Sequence, residues 1–174
     1  MKILCTGNPV AGIAKELQSL YPDTCFISRT NGYDLSTIEG IDKFKELLPN
    51  YDVFINHSQL LPGTQQLLLQ HAYAIWNSGH VINIGSVLEF KQWEWIEPDA
   101  AEDKRQLRER SLALGNELFK TTHLIIGGIR DNDICRMHPV HVAKAIMWIL
   151  ENEVHIPMLY IDKLSNEVLS KRKY

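Results

Sequence analysis

The stretch Cys5-Thr6-Gly7-Asn8-Pro9-Val10-Ala11-Gly12-Ile13-Ala14 carries the clearest chemistry in the chain. It follows a short apolar run, Lys2-Ile3-Leu4-Cys5, and opens an amphipathic stretch that reaches Leu20. A strand, a glycine turn and a helix start in that order make a phosphate site. Glycine lets the backbone approach a pyrophosphate, and the helix N-terminus offers unpaired N–H groups at its positive end. The expected ligand is a dinucleotide, held by Gly7, Asn8, Gly12 and Ile13. Groups able to move a proton lie further on: His57, His138 and His141, and the acids Glu89, Glu94, Glu97, Asp99 and Asp103. Histidine has the right intrinsic pKa for that work, although a solitary histidine is more often structural. Cys135-x-x-His138-x-x-His141 has zinc-ligand residue types. Three ligands so tightly packed around Pro139 read better as a loop entering a helix, and no metal site is assigned.

These residues need a scaffold, and the hydrophobic pattern supplies one. Apolar β-rich runs at Lys2–Thr6, Thr24–Ser28, Asp52–Asn56, His80–Ile84, Thr122–Gly127 and Met158–Ile161 read as strands. Helical patterns fill the gaps at Gly12–Leu20, Ile38–Leu48, Gly63–Ser78, Glu102–Lys120 and His141–Asn152. Val142, Ala145, Ile146, Ile149 and Leu150 show the helical spacing of the last. Continuous apolar strands separated by helices argue a parallel sheet covered on both faces. The expected fold is an α/β, doubly wound, mostly parallel Rossmann sheet of about six strands ordered 3-2-1-4-5-6. In such a sheet the ligand lies beyond the strand C-termini, which directs attention to the loops after Thr6, Ser28, Asn56, Ile84 and Gly127.

Composition bounds the rest. The 174 residues suit one domain with a substantial core, and 45% apolar content with a net charge of −3 fits a soluble globular protein. No basic stripe points to nucleic acid; Lys171-Arg172-Lys173 reads as a solvated tail. No apolar run approaches the roughly 20 residues that span a bilayer, and Pro9 and a polar helix follow too soon for a signal peptide. Cys5, Cys25 and Cys135 are odd in number and far apart, which reads as a reduced, cytoplasmic compartment.

With these pieces in order, the chain resembles the short-chain dehydrogenase/reductase family over about residues 1–150. Thr6-Gly7 and Gly12-Ile13-Ala14 are similar to its glycine turn, with a loop one residue longer and Ala14 at the last glycine. Ile27-Ser28-Arg29-Thr30 resembles the end of the second strand in NADPH-preferring members. Tyr33-Asp34-Leu35 resembles the segment that contacts adenine. Asp52 to Ser58 is similar to the strand end whose asparagine lies near the coenzyme ribose, here Asn56, followed by His57 and Ser58. Val81 to Ser86 looks like the strand that ends in the catalytic serine. The segment from Arg29 to Asp34 leaves no room for the usual helix and extra strand.

The resemblance implies a nicotinamide coenzyme. An acid at the end of the second strand would favour NAD(H); Ser28 and Arg29 stand there instead, and a hydroxyl with a guanidinium suits a phosphate dianion. NADP(H) is therefore expected over NAD(H). The family also implies a tyrosine proton donor, a lysine four residues later and a carbonyl-orienting serine. Ser86 fits the serine. No tyrosine occurs between Tyr73 and Tyr160, and none in the chain has a lysine four residues on. Aligning the fourth helix on Ser111-Leu112-Ala113-Leu114 puts Gln106 or Leu107 at the tyrosine and Arg110 or Ser111 at the lysine. Arginine could hold a ribose, but its pKa is too high for proton relay. Trp93 and Trp95 fall in the segment that lines the family's substrate pocket, and they read equally as an apolar wall there, as a lid packed on the body or as an oligomer contact. Three readings stay open: an NADP(H)-dependent oxidoreductase acting on a small carbonyl or alcohol, a catalytically silent dinucleotide-binding regulator, and a scaffold acting through protein contacts. The helix at Glu102–Lys120 leaves a homo-oligomer open.

Overall fold

Alternating apolar and amphipathic stretches fold as their periods require. The computed structural model describes residues 1–58, 61–76, 78–90, 98–129, 137–152 and 154–162. In chain order the elements are β1 (Ile3–Thr6), α1 (Gly12–Leu20), β2 (Cys25–Ile27), α2 (Ile38–Leu47), β3 (Val53–Asn56) and α3 (Thr64–Ile75). Then come β4 (Gly79–Ile84), α4 (Pro98–Leu114), β5 (Phe119–Ile126), α5 (Pro139–Glu151) and β6 (Met158–Ile161). Trp93, Trp95 and Cys135 lie outside the described residues.

All six strands pair in parallel, in the order β2-β1-β3-β4-β5-β6. The doubly wound parallel α/β arrangement is therefore the one expected. Its rim differs from the expected order 3-2-1-4-5-6, because among the described residues no strand lies outboard of β2. The cause is local. After β2 the chain makes only a short 3-10 turn at Arg29–Asn31 before reaching α2. Asn31 holds that turn against the strand: its Oδ1 accepts the Ser28 N–H at 2.8 Å, and its Nδ2 donates to the Phe26 carbonyl at 2.6 Å. The winding still reverses between β1 and β3, where a crevice opens at the strand ends.

Each face of the sheet carries its own core. Ile13 and Leu17 of α1 and Val142 and Ile146 of α5 pack on Cys5, Ile55, Ile82 and Leu124. On the other face Phe44, Leu68, Leu69 and Leu107 pack on Leu4, Phe54 and Val81. Every residue of β1 and β3 is buried, as central strands covered on both sides must be.

Helix boundaries move from expectation in α3, α4 and α5, the last of which starts at Pro139 instead of His141. α3 stops at Ile75 instead of Ser78, and Trp76 turns into the core. α4 runs from Pro98 to Leu114, not from Glu102 to Lys120. Proline is well placed in a first helical turn. The stop comes from Asn116, whose Oδ1 accepts the N–H groups of Leu118 and Phe119 at 3.0 and 2.9 Å and starts β5 three residues early. Leu118 and Leu112 are consequently exposed, and Leu107 supplies the packing instead. Among the described residues no helix is long and apolar enough to cross a membrane.

At the opposite end of the sheet, His80 Nε2 lies 2.8 Å from Thr122 Oγ1. Thr122 gives its hydroxyl proton to the Ile156 carbonyl at 2.6 Å, so His80 is the donor and carries its proton on Nε2. Burial, then the neighbouring His155 and Lys120, push the His80 pKa down to about 4. Above its ordinary 6.5 the ring is neutral in both states; between there and about 4 only the unfolded chain takes the proton. Stability is therefore expected to fall as pH drops through that window, by up to ~3 kcal/mol from this residue. Urea denaturation of the wild type and of His80→Gln as a function of pH checks this; an equal acid loss in both would contradict it.

Candidate functional site

Two groups of residues meet at the C-terminal ends of the strands. The first is a cradle beside the glycine turn. Gly7 continues the β1 ladder, its N–H donating to the Ile27 carbonyl at 2.9 Å, and its φ of 132° is one that side chains resist. A Cβ there would come within 3.0 Å of His57 Nδ1 and 3.1 Å of Ser58 Oγ. The loop after β3 thus lies directly on the backbone of Gly7. Thr6 ties it there: its buried Oγ1 accepts the His57 and Ser58 N–H groups, each at 2.9 Å. His57 Nδ1 sits 3.2 Å from the Thr6 carbonyl and so carries the ring proton. Burial lowers the His57 pKa, with Lys104 acting the same way and the Thr6 bond opposing. The ring is neutral.

A cavity of about 240 Å³ opens beside this turn. It brings together Gly7, Asn8, Ser28, Arg29, Thr30, Leu35 and Ser58, all expected from the sequence, and adds Ile27 and Tyr33. Asn8 Nδ2 donates to Thr30 Oγ1 at 3.3 Å, and Thr30 Oγ1 lies 2.8 Å from Ser28 Oγ, which fixes the wall of the cavity. The Arg29 side chain is exposed and holds no ion pair or hydrogen bond among the described residues. Gly12 and Ile13 begin α1, where no side chain caps the exposed N–H groups and no acid occupies the first turn. Asp34 is not a cavity residue: its Oδ1 accepts the Ser36 hydroxyl at 2.6 Å and N–H at 3.1 Å. Those bonds, with a smaller pull from Arg29, hold its pKa below the usual carboxylate value.

The second group is a buried polar cluster around the end of β4. The Ser86 N–H donates to Glu89 Oε1 at 3.0 Å. The same oxygen lies 2.8 Å from His123 Nε2, and Glu89 Oε2 accepts from Arg108 at 3.3 Å. The Arg108 guanidinium also sits 4.8 Å from the Phe90 ring centroid. Gly85 makes room for this pair, since a Cβ would fall 2.3 Å from His123 Nε2 and 2.4 Å from Glu89 Oε1. Ser86 Oγ accepts the Leu88 N–H at 3.3 Å. Next to it, Asn56 donates to Asn83 Oδ1 at 2.9 Å and to the Gln65 carbonyl at 2.8 Å, and Asn83 donates to Ser111 Oγ at 3.1 Å. Gln65 Nε2 donates to the carbonyls of Asn56 and Ile84 at 2.6 and 3.2 Å. Lys104 completes the cluster, its Nζ donating to Gln65 Oε1 and, at 3.4 Å, to the Ile84 carbonyl. Burial pulls the Lys104 pKa down to about 8, against Asp103 and Glu89, which favour the charged form.

Of the residues aligned to the catalytic pair, Gln106 is at the surface beside Glu102, and Leu107 is in the core. Ser111 is buried with Asn83, and Arg110 is half-buried without an ion pair or hydrogen bond from its side chain among the described residues. The cation placed at the β4 end is Lys104. It stands four residues after Ala100, so a lysine sought without its tyrosine would have been found. Gln65, Arg108 and His123 are likewise not among the expected residues. A histidine inside the apolar run of β5 was the available signal, because a buried imidazole needs a partner. His138 caps α5, its Nδ1 accepting the Val140 N–H at 3.2 Å.

No family model and no curated protein sequence matches the chain. Solved structures do. A short-chain dehydrogenase from Leptospira borgpetersenii with bound NAD+ matches at TM-score 0.73 and 16% identity, over 92% of this chain and 91% of that one. The 3-alpha-hydroxysteroid dehydrogenase from a Pseudomonas species, complexed with NADH, matches at 0.70 and 13% identity over 100% of both chains. BdcA in complex with NADPH matches at 0.70 and 14% identity, over 92% of each. The chain has the Rossmann fold of the short-chain dehydrogenases/reductases.

Gly85→Ala is expected to cost about 1–3 kcal/mol, the range for forcing a methyl into a filled interior. Urea denaturation reads this directly, and an unchanged midpoint would mean that the Glu89–His123 contact does not occupy the space under Gly85.

Proposed function

We propose that the chain binds NADP(H) in preference to NAD(H) and works as an oxidoreductase resembling the short-chain reductases, on a small carbonyl or alcohol. The cavity between Gly7 and Arg29 carries this reading. An arginine with no ion pair or hydrogen bond among the described residues stands at the end of β2, where a ribose-binding acid would favour NAD(H). The carboxylate nearest in sequence, Asp34, is committed to its own turn. Tyr33 offers an aromatic wall suited to adenine, and the uncapped start of α1 suits a pyrophosphate. The three neighbours described above were solved with NAD+, NADH and NADPH, so this fold accommodates each form.

When bound, the reduced coenzyme supplies a hydride to a carbonyl carbon. Ser86 is the group to orient that carbonyl, because its hydroxyl accepts from Leu88 and keeps its proton to donate. The cation favoured at this end is Lys104 in place of Arg110. A second reading, a silent dinucleotide-binding regulator, is favoured by one observation: Ala100 stands where a tyrosine four residues before Lys104 would be.

Calorimetric titration with NADPH and NADH tests the coenzyme. NADPH is expected to bind more tightly. Arg29→Ala should weaken NADPH about tenfold, ~1.4 kcal/mol, and leave NADH nearly unchanged. An equal loss for both would remove the phosphate assignment. Absence of binding at millimolar coenzyme would mean that the fold persists without its ligand.

A further inference from the structure

We propose that Lys104 is itself the acid that protonates the substrate oxygen, replacing the tyrosine hydroxyl that the chain lacks. The proposal rests on the oxidoreductase reading above.

Position comes first. Lys104 Nζ bonds the Ile84 carbonyl, two residues before Ser86, so its ammonium and the orienting serine stand at the same strand end. An ammonium has three N–H bonds. Gln65 Oε1 and the Ile84 carbonyl accept two of them, which leaves one to give. Gln65 cannot turn away, because its amide nitrogen is committed to the carbonyls of Asn56 and Ile84. The ammonium is therefore held from two sides with its third bond unassigned.

The other acids nearby are otherwise engaged. Both oxygens of Glu89 accept bonds, from Ser86 and His123 on one side and Arg108 on the other. Asp103 Oδ1 accepts from the Gly63 N–H and from Gln66, each at 2.7 Å. His57 gives its one ring proton to the Thr6 carbonyl. His123 is fully buried against Glu89.

Charge and burial then set the acidity. The charged and titratable groups around Lys104 are Asp103 on its own helix, Glu89 in the turn after β4 and His57 after β3. The two carboxylates keep the amine protonated near neutrality, while burial brings its pKa to about 8, below the ordinary 10.5. A group in this range gives up a proton far more readily than a surface lysine and still holds it before reaction. In the step itself the carbonyl carbon gains the hydride and the C=O π pair passes to oxygen. An N–H bond of Lys104 breaks as the O–H bond forms. The neutral amine that remains regains a proton from solvent.

Two readouts test this. Competitive acetylation with acetic anhydride, followed by mass spectrometry of the Lys104 peptide, reports the amine's titration without any turnover. A midpoint near 8 is expected, with the surface residue Lys43, whose pairing with Glu39 raises its pKa, titrating at higher pH. NADPH-driven reduction of nitrobenzaldehyde and phenanthrenequinone then reports the chemistry. Wild-type kcat should fall above pH 8. Lys104→Arg keeps the charge but cannot release its proton, so it should lower kcat ~100-fold and abolish that fall. Lys104→Met should lower kcat ~100-fold, with NADPH titration still showing a bound coenzyme. The same alkaline fall in Lys104→Arg, or an ordinary lysine midpoint for Lys104, overturns the proposal. So does a wild type that binds NADPH and reduces neither probe. A wild type that binds no coenzyme overturns the coenzyme reading and this proposal with it.

Discussion

The carboxylate of Glu89 is fully buried, and a buried charge must be surrounded by donors or it destabilises the fold by several kcal/mol. Its donors come from three different places: the Ser86 backbone after β4, His123 on β5 and Arg108 on α4. Moving any one of them strands the charge. The end of β4, the middle of β5 and the axial position of α4 are therefore fixed together. Gly85 and Lys104 inherit their positions from that requirement: one must lack a side chain above the pair, and the other rides on the helix that Arg108 anchors.

The two halves of the site are built by different physics. The cradle around Gly7 relies on backbone groups, a positive φ and an exposed arginine, so its affinity is to come largely from the ligand's own charge. The β4 end is a buried, hydrogen-bonded network, with Asn56, Gln65, Asn83 and Ser111 all buried. Such a network holds its members in one arrangement because each alternative leaves a polar group unpaired. Thr6 connects the halves, since its hydroxyl fixes the loop that carries His57 and Ser58 against the glycine turn.

Much of this was legible in the sequence, for reasons that differ by element. Central strands are short apolar runs because both faces are covered, so β1, β3 and β4 could be read almost to the residue. The glycine turn could be read because close backbone approach demands glycine, and the Ser28–Thr30 segment lines the cavity beside it where the sequence pattern put it. The limits of α4 were not legible: charges fill its length, and its end depends on an Asn116 side chain folding back on Leu118 and Phe119. Ser86 stood out by its place at a strand end. Glu89 was visible only as one acid among several, since its value lies in contacts with β5 and α4 that no local pattern encodes. Lys104 was hidden by the absence of the tyrosine that would normally announce it.

The abbreviated rim of the sheet has a further consequence. The Ile27 carbonyl points inward to Gly7, so the Phe26 carbonyl faces the open side of β2, where an outer strand would otherwise pair. Asn31 occupies that carbonyl, and β2 is only three residues long. An unpaired strand edge is a template on which other chains can add strands and aggregate. Here a side chain from the following turn occupies the acceptor on that side, the Phe26 carbonyl. The short β2 edge thereby presents one acceptor fewer to any strand that would add to it.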